Sequence, residues 1–229
     1  ISHRSVDLVG IGPSGRGRRD TAERSVGSKQ LDVCFPDLGH GGLAFLRDKD
    51  TAILPSYEDS PVISEYFLWA EQERRRRLGA WSRLMGGAST VFPNMSFLPR
   101  QPRTIAVWHP RGPDKTEVWR WFLVDRDAPL EVKDFLRRYY IRYSGPAGLT
   151  EQDDMENWNY AHSASKGVIA RRFGYSYEMG MASEEKDFQD DELQLPGVIY
   201  DVTEAKAGEQ NQRSFYRRWA QFMSATNWK

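Results

Sequence analysis

Two β-prone runs, Thr104–His109 and Thr116–Val124, flank the segment HPRGPDK at 109–115. Proline, glycine and aspartate at such a junction reverse the chain, so the two runs pair as an antiparallel hairpin. In the second run Val118, Trp119, Arg120, Trp121 and Phe122 alternate, which predicts one apolar face. Further short runs, Ala88–Phe92 and Met95–Leu98, are separated by PN at 93–94 and PRQP at 99–102. Residues 31–46 read as strand, GHGG turn at His40, and strand.

Helical spacing dominates elsewhere. Residues 61–85 carry Val62, Ile63, Tyr66, Trp69, Ala70, Glu73 and Leu84 at that spacing. Asp127 is placed to cap a helix begun by Ala128 and Pro129 and continued through Glu131–Ile141. Its side with Val132, Phe135, Leu136 and Tyr139 is apolar. SGPAG (144–148) ends that helix, and another is predicted from Thr150 to near Gly167. Residues 183–197 are acidic and irregular, Val198–Val202 has strand character, and Glu204–Thr226 is a final helix with Phe215, Trp219 and Phe222 on one stripe. The sum is an α+β fold: an antiparallel sheet with helices packed on it.

Charge and composition narrow the function. The formal net charge is zero, which is no electrostatic footprint for nucleic acid, so no nucleic-acid partner is expected. The ERRRR run at 73–77 spreads around a helix beside Glu71 and Glu73, so a solvated face or a subunit contact accounts for it. No apolar run is long enough for a membrane span, and no signal-peptide pattern opens the chain. Cys34 stands alone, which excludes an internal disulfide framework and a thiolate-rich metal site within this chain; a reducing, cytoplasmic setting fits. Residues 10–30 are rich in Gly, Ser and Arg, but their glycines do not join a strand to a helix, so a phosphate-binding loop is discounted. The opening ISHRSVDL reads as though the chain had been cut into, and a fragment is expected.

The segment GLTEQDDMENWNYAH (148–162) crowds Glu151, Asp153, Asp154 and Glu156 ahead of Trp158 and Tyr160. Thr150 as N-cap, with Asp153 three residues on, explains Glu151 and Asp153 as residues of a first helical turn. Asp154 is explained less well. Its neighbours on the helix face are Trp158 and Ala161, and a carboxylate on an apolar face is costly unless paired or metal-bound. With four histidines (His3, His40, His109 and His162) and no thiolate set, the natural centre is two histidines and one carboxylate with open positions, which suits non-heme Fe(II) and O2.

GPAGLTEQDDMENW, WHPRGPDKTEVWRWFLVDRDAP and VFPNMSFLP together resemble the catalytic domain of the alpha subunit of Rieske-type aromatic-ring-hydroxylating dioxygenases, in the biphenyl and polycyclic-aromatic branch. The likeness extends from about residue 36 to the C-terminus. It implies a helix-grip, START-like catalytic domain over residues 1–229, with the Rieske domain upstream. It implies Asp154 and His3 as ligands of a mononuclear Fe(II), His3 matching the end of an H-x4-H run whose first histidine falls before residue 1. It implies a substrate pocket with Ser144, Leu149, Thr150 and Trp158, and for Asp153 either coupling between neighbouring subunits or helix capping.

The resemblance further implies a [2Fe–2S] Rieske cluster outside this chain, electrons from NADH through a reductase and a ferredoxin, and an alpha3 or alpha3beta3 assembly. The product is then a cis-dihydrodiol of an aromatic ring, made by adding both atoms of O2. Ser144 and Thr150 stand where relatives carry bulkier aromatics, so a bicyclic, polycyclic or substituted ring is expected as substrate. His40 is expected to be a turn histidine bonded to backbone, and His109 a strand-end histidine with a structural partner. His162 lies about 12 Å along a helix from Asp154, too far to share one ion.

Fold alone leaves rivals open. One is a metal-free carrier of apolar ligands, which would have no use for Asp154 on an apolar face. Others are a structural or regulatory subunit and a monooxygenase or demethylase of the same superfamily.

Overall fold

A computed structural model describes residues 28–49, 60–174, 186–203 and 208–225. Eight strands form one antiparallel sheet: β1 (Ser28–Phe35), β2 (His40–Arg47), β3 (Leu84–Val91), β4 (Met95–Leu98), β5 (Thr104–Pro110), β6 (Thr116–Phe122), β7 (Lys186–Asp187) and β8 (Val198–Asp201). Their order is β6-β5-β4-β3-β2-β1-β8-β7. Each of β1 to β6 pairs with its sequence neighbour, as short turn-bounded strands do, and the chain returns late to add β8 and β7 beside β1.

The described residues also form four helices: α1 (Pro61–Leu78), α2 (Leu130–Tyr143), α3 (Glu151–Ser165) and α4 (Gln210–Ser224). The described residues divide into two compact units. One takes in the sheet, the second half of α1 and α4; the other takes in the first half of α1, α2 and α3.

In the sheet unit a core forms from Leu31, Ala44, Leu46, Leu193 and Ile199, with Val33, Leu84, Phe188 and Leu195 packed against it. Leu31 lies opposite Ala44 on β2 and Asp201 on β8. The acidic segment 188–195 therefore does more than connect strands. Arg83 pairs with Asp190 at 3.1 Å, both largely buried, and this holds the segment where Leu193 closes the core. The chain then enters β8 through Gly197, whose φ is +85° and whose Cβ would lie 2.4 Å from the Cys34 carbonyl oxygen, so only glycine fits. On the sheet's other face, α4 sets Phe215 and Phe222 against Phe92, with ring centroids 5.1 and 5.2 Å apart.

The expected hairpin is present as β5 and β6, in register from Thr104 opposite Phe122 to Pro110 opposite Thr116, with Arg111 N donating to Lys115 O at 2.8 Å across the turn. Its faces differ from expectation. Trp119 and Trp121 are 52% and 47% exposed, whereas Val118, Arg120 and Phe122 are half-buried. β6 is an edge strand, so burial follows what lies over each face rather than the apolar pattern of the strand.

The first helix also stops sooner than its periodicity implies. Gly79, at φ +53°, breaks α1; a 3-10 turn covers Gly79–Arg83, and β3 already begins at Leu84. Only Ile63 of α1 is buried, so its aromatic residues are not a core stripe. Asp127 is not a helix cap: α2 begins after Pro129 without a side-chain cap, and Asp125 Oδ1 accepts from Asp127 N to form the turn instead. The face of α2 with Val132, Leu136 and Tyr139 is buried as the spacing predicts. α4 spans Gln210–Ser224 within the longer helix expected, and Trp219 stays half exposed.

Leu31→Ala is expected to cost about 2–5 kcal/mol, the range for a fully buried leucine, read as a lower midpoint in urea unfolding.

Candidate functional site

α3 carries the acidic segment. Glu151, Asp153 and Asp154 all lie in its first turn, where carboxylates favour the helix dipole. Thr150 occupies the N-cap position, but its φ of −104° and ψ of −54° are helical, and its side chain makes no cap bond. Thr150 is 1% exposed, and its hydroxyl has no hydrogen-bond partner among the described residues. The capping role inferred from sequence is thus not observed, because the extended backbone that aims an N-cap oxygen at the third amide is absent.

What starts α3 is a closed loop. Ser144 ends α2, donating its N–H to Tyr140 O at 2.8 Å. Gly148 N then donates to Gly145 O at 2.7 Å, Leu149 N to Arg142 O at 3.0 Å and Thr150 N to Tyr143 O at 3.2 Å. A Cβ on Gly145 would sit 2.6 Å from Ile141 O, and one on Gly148 would sit 2.7 Å from Tyr143 O. Both glycines of SGPAG therefore serve close backbone approach. Two side chains add to this: Ser144 Oγ donates to Glu151 Oε1 at 3.3 Å, and Gln152 Nε2 reaches Gly145 O at 3.5 Å.

The structure brings Ser144, Leu149, Thr150, Asp153 and Asp154 onto this loop and the turn that follows it. Ser144 is 6% exposed, Leu149 is 49% exposed, and Asp154 is half-buried. Trp158 lies one turn beyond Asp154 and is 54% exposed, and Ala161 is exposed too. The face of α3 that the sequence reading took to be buried is therefore not buried; no residue of α3 is. The Tyr160 hydroxyl is held above its usual pKa by a hydrogen bond to Glu156 and by that carboxylate's charge. It too points outward on an exposed stretch. Two hollows in the sheet unit are lined by charged residues such as Asp48 and Arg83.

Among the histidines, His40 Nδ1 accepts from Phe92 N at 3.0 Å, the backbone bond expected of it, but His40 is the first residue of β2 and the turn lies before it. His109 stacks edge-on against Trp119 at 5.4 Å, a structural partner as expected. His3 lies outside the described residues. Among the described residues no three of His, Cys, Asp and Glu cluster as a metal site. The donor set inferred from sequence, a carboxylate with imidazoles, does fit a hard-to-borderline ion such as Fe(II). Of that set, Asp154 is the member the structure describes.

The basic run is paired locally with two carboxylates. Glu71 pairs with Arg47 and Arg74, both at 3.0 Å. Glu73 pairs with Arg76 at 2.7 Å and Arg77 at 2.6 Å, bonds that lower its pKa to about 2. This is the solvated, self-paired face the sequence suggested. No described helix is long and apolar enough to cross a membrane.

Comparison with known proteins now places the chain. The family described as "Ring hydroxylating alpha subunit (catalytic domain)" matches residues 34–225. The chain belongs to that family. It is 35% identical over 234 residues to the chlorobenzene dioxygenase alpha subunit of Cupriavidus sp. (strain PS12), covering 99% of this chain and 48% of that one. It is 38% identical over 235 residues to the biphenyl dioxygenase alpha subunit of Metapseudomonas furukawaii, covering 100% and 47%. The crystal structure of naphthalene 1,2-dioxygenase from Rhodococcus sp. bound to indole superposes with a TM-score of 0.69 at 27% identity, covering 99% of this chain and 50% of that one. The chain thus spans about half the length of the curated relatives it matches.

Thr150→Val keeps the shape and removes a buried hydroxyl that has no partner among the described residues, so it is expected to stabilise the protein by about 1 kcal/mol. A loss of similar size in urea unfolding would instead indicate a capping bond.

Proposed function

We propose that this chain is the oxygen-activating part of a dioxygenase that adds both atoms of O2 to an aromatic ring and releases a cis-dihydrodiol. The carrying observation is Asp154, fixed in the first turn of α3 by the loop that Gly145 and Gly148 allow to close. Membership of the ring-hydroxylating family and the names of its relatives support the same reaction class. Asp154 and His3, with one more histidine, would hold a mononuclear iron(II), which when bound supplies the redox chemistry of O2.

The chain's own residues contribute position and environment. Asp154 offers a carboxylate from a backbone position that the first turn of α3 already holds, which lowers the ordering left to ligand binding. Ser144 and Thr150 are small, which leaves room for a bicyclic, polycyclic or substituted ring, with Leu149 and Trp158 as apolar lining. Asp153, beside Asp154, is assigned either to coupling with a neighbouring subunit or to stabilising the start of α3 through the helix dipole.

The remaining assignments follow the same reading: a [2Fe–2S] Rieske cluster in another part of the protein, electrons from NADH through a reductase and a ferredoxin, an alpha3 or alpha3beta3 assembly, and a cytoplasmic setting for aromatic hydrocarbon catabolism. A metal-free carrier is disfavoured because the matching family and the named relatives are ring-hydroxylating oxygenase subunits.

The test supplies the complete protein with its electron donors and 18O2, and offers biphenyl, phenanthrene, phthalate and benzene separately. A cis-dihydrodiol carrying two 18O atoms is expected, with larger or substituted rings preferred. A singly labelled phenol or a demethylated product would favour the monooxygenase or demethylase reading. Preference for unsubstituted benzene would contradict the pocket assignment.

A further inference from the structure

Glu151, Asp153 and Asp154 are chemically similar and share one helical turn. Glu151 has a side-chain tether: its Oε1 accepts from Ser144 Oγ at 3.3 Å. Ser144 is the residue that ends α2, and Glu151 is the first residue of α3. The bond therefore joins the end of one helix to the start of the next across residues 145–150. It lies at a place where the backbone is already tightly closed, with Leu149 N bonded to Arg142 O and Thr150 N to Tyr143 O. The donor is almost wholly buried, so water competes little for this hydrogen bond.

Glu151 and Asp154 are three residues apart and so are neighbours on the helix surface. Any rotation or slippage of the first turn of α3 would move both. Backbone bonds alone fix where the helix begins. The side-chain tether adds a constraint on its rotation about its own axis, which is the variable that decides where the Asp154 carboxylate points.

We propose that the Ser144–Glu151 hydrogen bond is a positioning device that sets the direction of the Asp154 carboxylate. This rests on the reading of Asp154 as a metal ligand. Neither Ser144 nor Glu151 ligates the metal; both influence it through Asp154. Partners of this kind typically change metal affinity 10–100-fold when removed.

The test is a titration of the metal-depleted complete protein with Co(II), reading the apparent Kd and the visible ligand-field band. The proteins are the native form, Ser144→Ala, Glu151→Ala, Glu151→Gln and Asp154→Ala, each checked for folding by circular dichroism. Ser144→Ala and Glu151→Ala are expected to raise the Kd about tenfold and to shift the band. Glu151→Gln, whose amide oxygen still accepts from Ser144, is expected to keep the native band and a near-native Kd. Asp154→Ala is expected to abolish the band. If Asp154→Ala abolishes it while Ser144→Ala matches the native protein, the positioning role is overturned and the ligand reading stands. If Glu151→Gln loses as much as Glu151→Ala, Glu151 acts through its charge, and the positioning role is likewise overturned. If Asp154→Ala leaves binding unchanged, the ligand reading fails and takes this inference with it.

Discussion

The register of β1 is the constraint on which the sheet unit depends. Leu31 faces Ala44, Leu46 and Ile199 on one side of the sheet, while Asp32 and Cys34, also fully buried, point to the other. A slip of one residue would exchange Leu31 with Asp32 and place a carboxylate in the apolar cluster. β1 is also where the early strands meet the late ones, because it pairs with β2 on one side and β8 on the other. Fixing β1 therefore fixes both the meander from β2 to β6 and the return of the chain to β8.

A second constraint works on a smaller scale at the α2–α3 loop. There the backbone closes so tightly that Gly145 and Gly148 have no room for a side chain. The loop, more than the helix that follows, determines where the acidic turn stands. No residue of α3 is fully buried, and its first turn, with Asp154, is half-buried. The proposed chemistry thus relies on backbone geometry supplied by the residues before the helix.

Much of the sheet was legible in the sequence because turn residues delimit the strands. The PN, PRQP and HPRGPDK segments separate the strands that the structure shows, and Gly39, at φ +71°, helps turn β1 into β2. Burial was less legible. Trp119 and Trp121 carry an apolar pattern on an exposed face, and Leu193 is a core residue inside an acidic stretch because Arg83 anchors Asp190 beside it. Both depend on contacts between residues distant in the chain, which local periodicity cannot encode. At the site, the family motif singled out Asp154, but the capping box at Thr150 was misleading. Thr150 and Asp153 have the right residue types and spacing, yet the loop brings Thr150 in with helical backbone angles. The Ser144–Glu151 bond had no sequence signature, since a serine and a glutamate seven residues apart form no recognised pattern.

The most direct test of the account is iron per chain in the complete protein, native against Asp154→Ala, with acid-labile sulfide measured alongside as the reference for the cluster. The account predicts that the variant loses one iron per chain and keeps its sulfide. Equal iron in the two proteins, or none in either beyond that matched by sulfide, would contradict it and make Asp154 a structural carboxylate.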